Sequence, residues 1–188
     1  MRFARSIPAW RRALAALACA GAAALSSGCA NTDLSVYQGQ TPVLDLAQYF
    51  NGKVVAHGMF QDRSGQVIKR FTVDMDGQWQ GNQGVLDERF TYSDGTQERR
   101  VWRLTKHADG RYSGTADDVV GTAQGQAVGN VLTWRYVLRL PVDGKVYEVD
   151  FDDGMYLIDE HIMLNRAVMS KFGVRLGEVT LSFRKVQP

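Results

Sequence analysis

Cysteine is scarce in this chain, Cys19 and Cys29 being the only two, so the fold must rest on a hydrophobic core and not on a disulfide framework. Histidine is nearly as rare: His57, His107 and His161 occur singly, without His-Glu-x-x-His or any other metal-ligand spacing. There is no Gly-x-Ser-x-Gly elbow, no phosphate-cradling glycine loop and no dinucleotide fingerprint. These absences predict no metal, no cofactor and no catalytic residues of a recognisable type, and they favour a binding protein over an enzyme. Internal repeats, low-complexity blocks and a second domain boundary are also missing. The one long apolar run, Ala13–Leu25, would span only about 20 Å as a helix, short of the roughly 30 Å hydrocarbon core of a bilayer.

That run follows Arg2, Arg5, Arg11 and Arg12, a basic segment before an apolar one, and together they read as an export signal over residues 1–28. Its end, Leu25-Ser26-Ser27-Gly28-Cys29-Ala30, resembles the lipobox of bacterial lipoproteins. The resemblance implies cleavage before Cys29 and lipidation of that residue. Ala30, where an Asp would mark inner-membrane retention, implies an outer-membrane protein facing the periplasm. Removing the signal takes four of the 22 basic residues and none of the 20 acids, leaving a slightly acidic protein with no reason to bind nucleic acid. Residues 29–40 are polar and patternless and read as a lipidated, flexible tether.

The domain proper is expected over residues 41–188. Thr41-Pro42 suggests an N-cap with proline at the first helical position, and Asn51-Gly52 a stop, so one short helix is expected over Val43–Phe50. Beyond it, β-branched and aromatic runs alternate with turn signals at Asp62–Gly65, Asp74–Gly77, Ser93–Gly95, Ala108–Gly110, Gly129-Asn130 and Val142–Gly144. Leu132, Trp134, Tyr136, Leu138 and Leu140 share one face of a strand, and the same period of two recurs in Phe71-Val73-Met75 and Val179-Leu181-Phe183. The expected fold is mostly β: a single antiparallel up-and-down barrel of about eight or nine strands, closed because closure removes exposed edges, with a β-sandwich as the alternative. Asp159–Phe172 fits both a strand and a helix and is assigned to a strand.

Phe50-x-Gly52, Asp118-x-x-Gly121-x-Ala123-x-Gly125, Gly129-Asn130, Trp134-x-Tyr136, Asp152-Asp153-Gly154-Met155, Asn165 and Lys171-Phe172-Gly173 together resemble the bacterial lipoproteins catalogued as domain of unknown function 3833. That family brings no established activity. The resemblance implies an envelope lipoprotein with a lipocalin-like barrel, in a gene context of fatty-acid modification.

Candidate ligand contacts follow from strand patterning. The small residues Gly114, Ala116, Gly121, Ala123 and Gly125 lie on what reads as one strand; facing inward, they would leave room for a ligand, or else let the strand bend. Trp102, Tyr112, Trp134 and Tyr136 are candidate walls of an apolar pocket. Glu88 shares a face with Leu86, Phe90 and Tyr92, which predicts an inward carboxylate in need of a partner, Arg103 or Arg135, unless a bulge returns it to solvent. Asp118 is a further candidate. The Asp117-Asp118 and Asp150–Gly154 clusters read as turn chemistry, since the latter misses the calcium-loop spacing. The leading expectation is a membrane-anchored barrel holding a hydrophobic, fatty-acid or lipid-like ligand. A structural protein docking another envelope component is the second, and a lipid-modifying enzyme the third.

Overall fold

The computed structural model describes residues 33–142 and 144–187. The expected signal peptide and the lipidation site Cys29 lie outside the described residues. Strand alternation is realised as ten strands: β1 (Gly52–Asp62), β2 (Val67–Gln80), β3 (Gln83–Tyr92), β4 (Gln97–Lys106), β5 (Arg111–Thr115), β6 (Val119–Val128), β7 (Val131–Val142), β8 (Lys145–Leu157), β9 (Ile162–Lys171) and β10 (Val174–Lys185). Each pairs antiparallel with its sequence neighbours. β1 also pairs with β10, from Val54 opposite Lys185 to Asp62 opposite Gly177, and so closes a barrel. That seam rules out the sandwich.

Alternating residues point inward and are apolar, while Asp74, Arg89, Arg103, Arg135 and Arg166 on the outer face are exposed. This is the inverse of the apolar outer band of a membrane-spanning barrel. The hairpin tips are held by acidic side chains accepting backbone N–H groups two residues on: Asp62 from Ser64, Asp94 from Thr96 and Asp159 from His161.

Three expectations need correction. Ten strands replace eight or nine, in part because the small-residue stretch 112–125 is two strands: the chain turns at Ala116–Asp118, where the Val119 N–H donates to the Ala116 carbonyl at 3.1 Å. Asp74–Gly77 is no turn but the middle of β2, with Met75 and Gly77 inward and Asp74 outward. Glycine is needed at 77 because a Cβ there would stand 1.7 Å from the Phe50 carbonyl oxygen; the signal read as a turn marks a close approach instead.

The third correction concerns the helix, which is the single turn α1 (Leu46–Tyr49) and is capped by Asp45, not Thr41. Asp45 accepts from the Ala47 N–H at 2.9 Å. The same carboxylate accepts from Lys106 Nζ at 2.6 Å and from the Tyr112 hydroxyl at 3.1 Å, tying the cap to β4 and β5. Leu44 is already committed to the barrel, its N–H donating to the Gly129 carbonyl at 2.8 Å. Leu46, Tyr49 and Phe50 are buried and plug this end of the barrel, each contributing about 1.5–3 kcal/mol by burial. The Tyr49 hydroxyl donates to the His161 carbonyl, which fixes the plug to the β8–β9 turn. Upstream, Leu34–Tyr37 forms a 3-10 turn whose Tyr37 ring meets Tyr156 edge-on at 6.1 Å, so this part of the expected tether lies on the barrel wall.

Candidate functional site

With one end plugged, burial falls off toward the other, where Phe60, Phe90, Tyr92 and Leu140 are only half-buried and Glu98 is exposed. Between plug and mouth lies a cavity of about 140 Å³. Its wall is largely apolar and rich in aromatic rings. Trp102 meets Trp134 edge-on at 5.7 Å and Tyr136 at 5.5 Å, while Tyr136 stacks on Phe151 at 5.1 Å. Glu88, Trp102, Tyr112, Trp134 and Tyr136 all line this space. Tyr112 does so at the plugged end, where its hydroxyl is occupied by Asp45. Asp118 does not line the cavity. It sits at the turn between β5 and β6 near the mouth and reaches inward only through Arg100, whose Nε donates to it at 2.8 Å.

The small-residue stretch does not leave the cavity open. A Cβ on Gly125 would stand 2.3 Å from the Thr133 carbonyl oxygen and 2.5 Å from the Trp134 ring, and one on Gly114 would stand 2.8 Å from Leu104 and 3.0 Å from that ring. The indole fills the volume these glycines vacate. The arrangement recurs: Phe71 covers Gly58 and Trp79 covers Gly84, each glycine directly opposite its aromatic in the register, as Gly125 is opposite Trp134. Large rings lie flat against the wall over glycines, which is how a barrel rich in aromatics keeps space at its axis. Gly125→Val is therefore expected to cost about 1–3 kcal/mol by overpacking and to shift the tryptophan emission, both readable in one fluorescence-monitored urea titration. An unchanged midpoint would show that neither the indole nor the Thr133 carbonyl needs this glycine.

Polar side chains form a belt at mid-barrel. Glu88 on β3 is buried without any bulge, and its partner is neither Arg103 nor Arg135. Those two point outward, Arg103 toward Asp117 at 3.9 Å and Arg135 to Asp152 at 3.0 Å. The register instead sets Glu88 opposite Arg100 of β4, with Arg100 Nη1 3.8 Å from Glu88 Oε2. Burial pushes the Glu88 carboxyl up to about 7, against the pull of the Arg100 charge and the Trp102 side chain. Burial alone would lower the Arg100 guanidinium, but the Glu88 charge and the Asp118 hydrogen bond outweigh it and hold it above its ordinary value.

Across the barrel, on β8 and β9, stand two residues that the sequence places among the resemblance motifs and not among the candidate ligand contacts. Asp153 and Asn165 are buried at 5% and 4% exposure and line the same cavity. Asn165 Nδ2 donates to Asp153 Oδ2 over a long 3.4 Å, and the two remaining oxygens, Asp153 Oδ1 and Asn165 Oδ1, have no hydrogen-bond partner among the described residues. Burial pushes the Asp153 carboxyl up to about 7, against the Asn165 hydrogen bond. The same burial raises the Tyr136 hydroxyl well above its ordinary value. The interior thus combines an apolar wall with two carboxyls, one guanidinium and two unused acceptor oxygens, an arrangement suited to orienting one small amphipathic molecule.

Residues 23–185 match the family described as Protein of unknown function (DUF3833). No curated protein matches the chain. Among solved structures, it is similar to a de novo designed fluorescence-activating β-barrel at 14% identity, covering 76% of this chain and 99% of that one with a TM-score of 0.42.

Proposed function

Because the chain belongs to the family described as Protein of unknown function (DUF3833), membership carries no activity with it, and we propose a function from the site: the barrel binds a small hydrophobic or amphipathic molecule and holds it without transforming it. The observation that carries this reading is the interior itself, which keeps about 140 Å³ of largely apolar space in a closed barrel. By volume this resembles cavities of about 150 Å³ that take up benzene, so the enclosed part of a ligand is about six carbons long. A longer lipid or fatty-acid chain would continue out through the mouth between Phe60, Phe90 and Leu140.

We further propose that the protein is lipidated at Cys29 and works at the periplasmic face of the outer membrane, on the strength of the basic and apolar leader, the lipobox-like Leu25–Cys29 and Ala30. Stable anchoring would follow from more than one acyl chain, at about 0.8 kcal/mol per buried methylene.

Native mass spectrometry of the full chain recovered from a bacterial envelope, followed by lipid extraction, tests both statements. The expected result is a polypeptide beginning at acylated Cys29 together with a non-covalent companion of defined mass. An unacylated amino terminus would remove the anchor. A protein free of any companion would move the reading to a surface that docks another envelope component, for which the exposed Val146, Phe172 and Val174 on the mouth-end hairpins are the apolar contact points.

A further inference from the structure

The cavity wall carries more acid than base. Arg100 is already engaged, by Asp118 at 2.8 Å and by Glu88 at 3.8 Å. Among the described residues Asp153 has no ion-pair partner, and its one side-chain hydrogen bond is the long one from the neutral Asn165. Both residues line the cavity, and Asp153 Oδ1 and Asn165 Oδ1, themselves buried, accept nothing from the described residues. A buried carboxylate and a buried amide oxygen left in this state cost free energy that a matching donor would recover. A ligand carboxylate would do the reverse, adding another anion beside Asp153 and Glu88.

We propose that the barrel selects amphiphiles with a primary ammonium head, seated on Asp153 and Asn165 with Glu88 on the facing wall, and an apolar body of about six carbons against Trp102, Trp134 and Phe151. An ammonium carries three donors and no acceptor. It can therefore donate to Asp153 and Asn165 together, and it leaves no lone pair facing either acid. The inference rests on the barrel being a hollow binder, and it puts an ammonium in place of the carboxylate head of a fatty acid.

Hexylammonium, hexanol and hexanoate share one body, fit the cavity and dissolve in water, so their binding to the full chain can be compared at pH 8 through tryptophan fluorescence and calorimetry. Hexylammonium should bind at least tenfold more tightly than hexanoate. Asp153→Asn should remove most of that preference, and a cooperative urea-unfolding transition shows that the variant is folded. Hexanoate binding as tightly as hexylammonium would overturn the head-group assignment and leave the hollow binder standing. Failure of all three probes to bind would overturn the binder as well.

Discussion

Arg100→Leu is expected to destabilise the barrel by about 3–5 kcal/mol at pH 8, the usual cost of stranding one member of a buried ion pair, and by clearly less at pH 5. The stranded member is Glu88, which lies at 8% exposure among Leu86, Phe90 and Trp102. Asp118, the other partner, keeps a side chain 37% exposed and loses little. The pH dependence follows from which state releases the proton first. In the unfolded chain Glu88 and Asp153 titrate near 4, whereas in the barrel burial raises both to about 7. Between pH 4 and 7 the unfolded chain ionises while the folded one keeps its protons, so these two groups withdraw stability as pH rises through that window. Without Arg100 only the Trp102 side chain still pulls Glu88 down, so at pH 8 the fold must either bury a bare charge or hold a proton that the unfolded chain has released, whereas at pH 5 the carboxyl is protonated in the fold with or without the arginine. Urea unfolding of the wild type, Arg100→Leu and Arg100→Leu with Glu88→Gln at both pH values decides the matter. The second substitution should restore most of the loss at pH 8, and an equal cost at both pH values would mean that Glu88 is not what Arg100 compensates.

Gly77→Ala should be the most damaging single-methyl change within a strand, costing about 3 kcal/mol, the upper part of the overpacking range. The obstacle to its Cβ is the Phe50 carbonyl oxygen at 1.7 Å, which is backbone and cannot rotate away. Phe50 must lift, and it takes with it the edge contacts to Tyr49 at 5.2 Å and Phe183 at 5.8 Å. Hydrogen exchange should then report the damage locally, with faster exchange of the Tyr49 and Phe50 amides, which donate to the Asp45 and Leu46 carbonyls. Protection unchanged at those two amides would place the strain elsewhere in β2.

The sequence made the barrel legible wherever alternation was unbroken, as in β7, whose inward Leu132, Trp134, Tyr136 and Leu138 were all readable. It made Glu88 legible for the same reason. Reading stopped where a residue type masked the period. Val149 and Phe151 lead by twos to Asp153, but Asp152-Asp153-Gly154 looks like a turn, and a charged residue on an apolar face reads as the end of that face. Arg100, two positions before Trp102, and Asn165, two after Met163, were hidden in the same way. Which arginine meets Glu88 depends on cross-strand register, and that is set by the length of the Ser93–Thr96 turn, not by any pattern within β3. Gly77 misled in the opposite direction, because glycine permits both a sharp bend and a close approach, and only the distant Phe50 decides between them.

The seam between β1 and β10 bears on how the barrel assembles. Every other pairing joins strands adjacent in sequence and can form as a local hairpin, whereas Ala56 meets Phe183 across nearly the whole domain. The entropy of that one closure falls late, after the nine hairpins have brought the two edges into range. The same geometry places the strands at the two ends of the domain side by side. A permuted chain, joined there and opened at the Ser93-Asp94 tip, would preserve every strand pair, turn the seam into a hairpin and make β3 and β4 the last edges to meet.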